Sequence, residues 1–505
     1  MRATLSALAI LAATATGLFG GEPKPKPEAA PQRPQRTISL KEIVELALRR
    51  NLVLAAEKIN PKRAHTVIVE QSAIFDPTAY SQATRAKSKS QQASSYLSQR
   101  QQSAEAVLGV AKLMPPGTVV DVHAGGSRQW SGEAFVPTLS PAYKEEWGVT
   151  ISQPLLRGFG VRVNTAGIAT ARNERRIAQA QLRSVAHQTV SDATQTFWLL
   201  VLAIRDRALI QQSLDRALNL QKDIQARVDA KVLGERDPAV AQAKAEVAVR
   251  QEEMVVAGQA IRDAEDALKV ITDLAADPAV WNVALIPTTE PPTTAPPLDA
   301  NQAVEAALAK RPDYRQAQLG IDNQDILIHV RRNEIKPRLD VNCGFGNSGL
   351  NRSWRAADHD LRSIDYYAWS VGVTFEYPLG NRAARSRYRR ARLEHEQARL
   401  NQRVLERQIN LEVRNAVRAV VTNVERIRAS DVSIDAGKER LRAEEIRYKD
   451  ARVGTIQDVL DAQAALAEAE RRHLRAVIDL TNALVGVERV RGTILEANDV
   501  TWEEE

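Results

Sequence analysis

The sequence predicts a mixed α/β membrane protein, in which amphipathic strands form a wall and long helices extend from it, arranged as two internal repeats. Three observations predict this fold. Helix-start patterns recur about 260 residues apart, at Ser39–Glu42 and Asp299–Gln302. Helical patterns of about 70 residues follow Pro154 and Pro378. The segments before those prolines alternate between apolar and polar residues, which is the period of a strand with two different faces.

The composition excludes several classes of function. The chain of 505 residues has one cysteine, Cys343, so an intrachain disulfide and a cysteine-based zinc site are excluded. Its 69 basic and 62 acidic residues are interleaved, and we expect no nucleic-acid partner. The seven histidines lack metal-site spacing and no nucleophile or phosphate motif occurs, so we expect no metal, cofactor or enzymatic activity.

The first residues have the pattern of an export signal. Residues 1–21 combine Arg2 with a short apolar run and are predicted to be a signal peptide, the alternative being a short buried helix. Residues 22–37 are predicted to form a proline-rich tether. No cysteine follows the apolar run, so we expect no lipid anchor. No later apolar run is long enough for a transmembrane helix, and strands would have to form any membrane span.

The predicted domains follow the duplication. Each half has the order helix, strands, long helix, tip turn and returning helix, beginning at a capping box in which Ser39 or Asp299 is the N-cap. We assign residues 38–285 to the first repeat and 298–492 to the second. A Pro/Thr-rich connection covers residues 286–297, and residues 493–505 form a tail.

The polarity of the strands indicates where they lie. In residues 369–377, Trp, Val and Phe alternate with Ser, Gly, Thr and Glu. One apolar and one polar face suit a wall between lipid and a water-filled lumen. An amphipathic sheet packed on a soluble core has the same period, but the terminal Trp369 and Tyr377 and the export signal favour the membrane.

The number of strands predicts an oligomer. The simplest count is two strands per repeat and four per chain, whereas membrane barrels need at least about eight. One chain therefore cannot close a wall. An additional hairpin is predicted near residues 105–125, around Met114–Gly117, and it either forms an external lid or adds strands.

The long helices carry apolar stripes at spacings of three and four, typical of helix–helix packing. In the second long helix the stripe consists of Ile409, Val413, Val417, Val420, Val424 and Ile427. A soluble coiled coil would show the same stripe. The alternative function is accordingly a secreted or periplasmic helical coiled-coil scaffold without channel activity.

Four segments carry a family resemblance: Ala307–Asp313, Gln153–Gly158, Tyr377–Gly380 and Tyr448–Gln463. With them the chain resembles the TolC-type outer-membrane efflux protein family over about residues 38–492. The resemblance implies a homotrimer in the bacterial outer membrane. It implies a twelve-stranded transmembrane β-barrel continued by a long periplasmic α-helical barrel. It also implies a passive exit duct, opened by a periplasmic adaptor protein and an inner-membrane pump.

The resemblance also implies sites. Two tip turns match those that an adaptor contacts, and they consist of Val232, Leu233, Gly234, Val453, Gly454 and Thr455. Asp458 and Asp461 match an acidic pair at the closed periplasmic gate, although Gly454 and Asp458 are about two residues closer than is usual in the family. The simpler interpretation is that the tips only turn the chain, with Asp458 capping a helix and Asp461 solvated.

A cluster of basic residues opens the second long helix and includes Arg382, Arg385, Arg389 and Arg392. Cations at a helix N-terminus oppose the helix dipole, so local helix energetics does not explain them. Next to the strands, they could bind phosphates of outer-membrane lipid or an anionic partner in the lumen. The alternative is a solvated ring with ion pairs to Glu394 and Glu396.

Overall fold

The computed structural model describes residues 33–89, 100–132, 139–450 and 455–500. The predicted signal peptide, the tether up to residue 32, the tip residues Val453 and Gly454, and residues 501–505 lie outside the described residues. The boundaries assigned to the predicted domains stay predictions.

Four long helices dominate the described chain. α5 (Ala166–Asp229) and α10 (Arg382–Asp450) have 64 and 69 residues, and α6 (Pro238–Ile271) and α11 (Ile456–Arg491) have 34 and 36. These lengths agree with the patterns of about 70 residues and the returning helices expected from the sequence. The shorter helices are α1 (Leu40–Arg50), α2 (Leu52–Glu57), α3 (Ile59–Ser72), α4 (Val161–Asn164), α7 (Ala300–Lys310), α8 (Pro312–Glu334), α9 (Trp354–Ser363) and α12 (Ile494–Ala497).

The predicted N-caps are present at both Ser39 and Asp299, but the reciprocal bond that would complete a capping box is formed at neither helix start in the described residues. The Glu42 carboxylate accepts from Arg36 instead. The Ser39 side chain accepts a hydrogen bond from the backbone N–H of Glu42 at 3.2 Å, and α1 follows. The Asp299 side chain accepts one from the N–H of Asn301 at 2.8 Å, and α7 follows. Each N-cap satisfies a backbone donor that has no partner inside the helix.

The strands form two sheets. β1 (Gln35–Ile38) and β6 (Ala284–Pro287) make a parallel pair. The larger sheet is antiparallel and contains, in spatial order, β2 (Thr78–Lys89), β3 (Arg100–Leu113), β4 (Val119–Gly132), β5 (Ala142–Pro154), β7 (Arg338–Asn351) and β8 (Tyr367–Glu376). The expected count of four strands per chain is wrong, because the additional hairpin forms β3 and β4 and lies within the sheet between β2 and β5.

The register gives this sheet an apolar face and a polar face. Opposed residues such as Ile151, Cys343 and Val371 point to the same side. The apolar face includes Ala79, Ala83, Ala106, Leu108, Val110, Val120, Val122, Ala124, Trp147, Val149, Ile151, Val341, Cys343, Phe345, Trp369, Val371, Val373 and Phe375. The same side also carries polar and charged residues, most of them toward the end of the sheet away from the long helices: Ser81, Arg85, Lys87, Arg128 and Glu145. The polar face includes Gln82, Asp121, His123, Thr150, Asn342, Ser370 and Thr374. Trp369, Phe375 and Leu108 are each at least 65% exposed, so the part of the apolar face nearer the long helices is uncovered in the single chain.

The helix α9, which follows β7 along the chain, packs over β5 and β7 on the apolar side of the sheet, at the end away from the long helices. The ring of Trp354 meets Tyr143 edge to face at 5.0 Å, and the Asn347 side chain donates to the Leu361 carbonyl. A Cβ at Gly349 would lie 2.0 Å from the Ala357 carbonyl oxygen, so only glycine allows this close approach.

The predicted apolar stripe of α10 is a packing face. Ile409, Val413 and Val420 are buried in one cluster with Val477 and Leu480 of α11. A second cluster joins α5 to α6 and α1. Among the described helices, none is both long and apolar enough to cross a membrane.

Candidate functional site

The first predicted tip is the turn between α5 and α6. Lys231 adopts a left-handed conformation at φ 58°, and the Arg227 carbonyl accepts hydrogen bonds from Val232 at 2.9 Å and Leu233 at 3.2 Å. Val232 is 73% exposed, whereas Leu233 packs partly into the helical core. A Cβ at Gly234 would meet no atom within 4 Å, so the turn presents open backbone to solvent.

Arg227 also connects the first tip to the second hairpin. Its guanidinium lies 4.4 Å from the ring centroid of Tyr448, near the end of α10. A cation over an aromatic face is attracted by the ring quadrupole. The sequence does not reveal this contact, since 221 positions separate the two residues along the chain. The end of α5 and the end of α10 are therefore neighbours.

The second tip begins, in the described residues, at Thr455. The Thr455 and Asp458 side chains each bond the other's backbone N–H, at 3.3 and 3.0 Å, which completes a capping box for α11. Hydrogen bonds from the Thr455 side chain and backbone lower the pKa of Asp458, so the carboxylate favours its charged form. The capping role expected for Thr455 and Asp458 is present.

Asp461 lies one turn further along α11. Both Asp458 and Asp461 are exposed, on the same side of the helix. The side-chain amide of Gln457 donates to Asp461 at 2.8 Å. The structure thus places the two predicted gate residues together at the exposed end of a helical hairpin.

The basic cluster opens α10 as predicted. The side chains of Arg382, Arg385, Arg389 and Arg392 are exposed. Within the described ranges none of the four makes a salt bridge or side-chain hydrogen bond, so the ion pairs expected with Glu394 and Glu396 are not formed. The neighbouring Arg387, in the same described part of α10, has an acidic partner: its Nε lies 3.7 Å from the Glu334 carboxylate. The cluster is a set of cations with unused hydrogen-bond donors.

Two asparagines, which the sequence analysis missed, fix the strand-to-helix steps. The Asn333 side chain accepts from the Gly158 N–H at 2.8 Å and donates to the Leu156 carbonyl at 3.2 Å. The Asn381 side chain donates to the Ile335 carbonyl at 2.8 Å. Both residues are more than 90% buried, and each holds a turn where a strand meets a long helix.

The Arg311–Asp313 pair anchors the helical region below the sheet. Arg311 bonds Asp313 and Glu412, each at 2.7 Å. Burial by itself would raise the pKa of Asp313, but the hydrogen bond and charge of Arg311 outweigh it and the pKa is lowered. Nearby, burial together with the Arg183 cation lowers the pKa of His187 to about 4.

Comparisons with known proteins concern the family and the fold. Residues 303–493 match the family model described as outer membrane efflux protein. No curated protein sequence matches the chain.

Several solved structures share the fold. The outer-membrane channel OprN is 17% identical, with a TM-score of 0.65, over 90% of each chain. The outer-membrane protein VceC from Vibrio cholerae is 16% identical with a TM-score of 0.64, over 90% of this chain and 96% of that one. The CmeC outer-membrane channel of Campylobacter jejuni is 16% identical with a TM-score of 0.60, over 90% and 86%.

Proposed function

We propose that this chain, whose residues 303–493 match the outer membrane efflux protein family model, forms a passive exit duct in the bacterial outer membrane. The duct serves a tripartite efflux or secretion system. The observation that carries the proposal is the union, in one chain, of a two-faced sheet with helices of 64 and 69 residues. At about 1.5 Å per residue such helices extend roughly 100 Å, a length suited to a conduit that leads away from a membrane.

The sheet forms the transmembrane wall in a homotrimer. Its apolar face contacts outer-membrane lipid and its polar face lines the lumen, as in outer-membrane barrels. A single sheet with free edges is not stable in lipid, since unpaired backbone groups there have no water to bond. Closure by further copies of the chain supplies the missing partners, with the long helices continuing as an α-helical barrel in the periplasm.

The two tips are the surface that binds the periplasmic adaptor. They consist of Val232, Leu233 and Gly234 with Val453, Gly454 and Thr455. The open backbone at Gly234 supports this assignment, because a turn without side chains lets a partner helix approach closely. The inner-membrane pump then joins through the adaptor.

Asp458 and Asp461 are the gate of the periplasmic mouth. In a trimer the pair would gather six carboxylates around one axis, and the resulting repulsion opposes closure unless cations screen it. The exposure of both carboxylates at the end of α11 supports the role, because exposed charges there can face the mouth.

The basic cluster binds lipid phosphates at the membrane boundary. Arg382, Arg385, Arg389 and Arg392 lie within the first three turns of α10, directly after the strand-to-helix step. Guanidinium groups with free donors match phosphate oxygens. The alternative scaffold function would leave both this cluster and the exposed apolar face without a partner.

The adaptor contact is tested by cysteine crosslinking in cells from Gly234→Cys, in a Cys343→Ser background. The matched control is Gly258→Cys, about 30 Å along α6 from the tip, where a Cβ is equally unobstructed. We expect a periplasmic adaptor to be captured from position 234 and not from 258. Equal capture from both positions, or from neither, would overturn the assignment of the tip.

A further inference from the structure

The additional hairpin is an integral part of the sheet. β3 pairs with β2 along all 12 residues of β2 and with β4 along its own 14 residues. β4 in turn pairs with β5, which leads into the long helix α5. The hairpin therefore separates β2 from β5, which would be neighbours if each repeat contributed only two strands to the sheet.

The apolar face continues across the hairpin. Leu108 and Val110 on β3 point to the same side as Val122 on β4, and this side also carries Val149 and Phe345. Leu108 is 65% and Val122 48% exposed. An external lid would have no need of an apolar stripe in register with the lipid-facing stripes on both sides of it, whereas a wall strand requires one.

The turn of the hairpin lies at the end of the sheet where the helices begin. The Gly160 N–H, just before α4, donates to the Pro116 carbonyl at 3.0 Å. Gly117 has φ +99°, and a Cβ on it would lie 2.5 Å from the Gly158 carbonyl oxygen. The described connection at the opposite end, residues 352–366 between β7 and β8, is longer and contains α9. Short turns on the periplasmic side and longer loops outside are the arrangement of outer-membrane barrels.

The two edge strands of the sheet, β2 and β8, can pair with each other between copies of the chain. Six antiparallel strands alternate in direction, so β2 and β8 run in opposite directions. In the part of the chain that the structure describes, each has a neighbour on one side only. Another copy of the chain can therefore add its β2 beside β8 and continue the antiparallel alternation.

We propose that each chain contributes all six strands to the wall, and that β8 of one subunit pairs with β2 of the next. Three chains then close an 18-stranded ring, rather than the twelve-stranded one that the resemblance implies. This inference rests on the proposed function, because it requires a trimer in the membrane. With strands about 4.8 Å apart and tilted about 40°, such a ring is about 36 Å across, against about 24 Å for twelve strands.

The place of the hairpin is tested by cysteine labelling of full-length protein in outer membranes. Leu108→Cys and Val122→Cys are made in a Cys343→Ser background and compared with native Cys343, which is exposed on the apolar face of β7. Thr374→Cys is the control for the polar face. We expect positions 108 and 122 to behave like Cys343: all three are protected from a membrane-impermeant maleimide that labels position 374, and all three react once the membranes are dissolved in denaturing detergent, because maleimides react with the thiolate, which forms in water and not in lipid. If the impermeant reagent labels 108 and 122 but not Cys343, the hairpin is outside the wall and the inference is wrong.

The subunit contact is tested by pairing Ala79→Cys, Ser81→Cys or Ala83→Cys on β2 with Val371→Cys or Val373→Cys on β8, again without Cys343. We expect at least one pair to give covalent trimers on oxidation. Membrane trimers that link through none of these pairs would overturn the strand pairing while leaving the exit duct intact. Recovery of the protein as a water-soluble monomer would overturn both proposals.

Discussion

The hydroxyl of Tyr80 on β2 donates to the two carboxylate oxygens of Asp121 on β4, at 3.2 and 3.0 Å, across the intervening strand β3. The Tyr80 ring reaches Asp121 by lying over Gly109, which has no side chain to block it: a Cβ there would lie 2.6 Å from the ring. Asp121 also contacts the His123 Nδ1 at 3.0 Å. Side chains as well as backbone thus tie the additional hairpin to the first strand.

This relationship predicts a dependence between two substitutions. Gly109→Ala should displace the Tyr80 ring, break its bond to Asp121 and lower the temperature at which the trimer dissociates, about as much as Tyr80→Phe does. In a Tyr80→Ala background the same Gly109→Ala change should have little further effect, because no ring remains to be displaced. Heat dissociation followed by electrophoresis measures the dissociation temperature of the parent protein, the three single variants and the Tyr80→Ala/Gly109→Ala double variant. Additive effects of Tyr80→Ala and Gly109→Ala would contradict the contact.

Gly492 is expected to be required for stability. It ends α11 at φ +75°, and a Cβ would lie 3.1–3.2 Å from the backbone of Lys310 and Arg311. Gly492→Ala should therefore lower the free energy of unfolding by about 1–3 kcal/mol. Gly486→Ala is the matched control, inside α11 less than two turns before its end, with open space around its Cβ. It should be neutral or stabilise by up to about 1 kcal/mol. Thermal unfolding in detergent measures both, and equal effects would disprove the conformational requirement.

His187 should make the folded protein sensitive to acid. Its pKa is lowered to about 4 in the folded chain, from about 6.5 in an unfolded one, so the unfolded state binds more protons between these values. The stability contributed by the neutral imidazole is complete above pH 6.5 and is lost as the pH falls toward 4. The slope is at most about 1.4 kcal/mol per pH unit.

The variant that tests this is His187→Gln, which cannot be protonated. Unfolding by denaturant at pH 7, 6 and 5 should show a smaller loss of stability with falling pH in the variant than in the parent protein. An identical pH dependence in the two proteins would show that His187 is not the group responsible.

The gate assignment predicts a change in ion selectivity. Asp461→Asn removes charge without touching the capping box of Thr455 and Asp458. If Asp461 lines the mouth, the variant channel should lose part of its preference for cations, seen as a shift in reversal potential under a salt gradient. Asp229→Asn is the matched control. Like Asp461, Asp229 has an exposed carboxylate near a tip, and this carboxylate accepts a hydrogen bond from the glutamine four residues earlier in the chain. Equal shifts in the two variants would remove the case for a gate at Asp461.

The long helices and the ends of several strands were predictable because their signals are local. A cap such as Ser39 or Thr455 and the stripe from Ile409 to Ile427 depend only on residues within a few turns. The alternation in residues 369–377 likewise places β8 on its own.

The strand count and the fixing contacts were not predictable, because they depend on residues that are distant in sequence. β2 carries Ser81 and Arg85 among the alanines of its apolar face, so its alternation is weak. Whether β3 and β4 form a lid or a wall is decided by pairing with β2 and β5 and not by their own pattern. Asn333 and Arg227 belong to no short motif, and their partners lie 175 and 221 positions away.

The exit duct is tested most directly by single-channel recording from purified full-length protein in a planar lipid bilayer. We expect detergent-extracted, heat-modifiable trimers from the outer-membrane fraction, and discrete ion-conducting steps when they insert. A protein that is recovered without detergent as a water-soluble monomer and gives no conductance would contradict the proposed function.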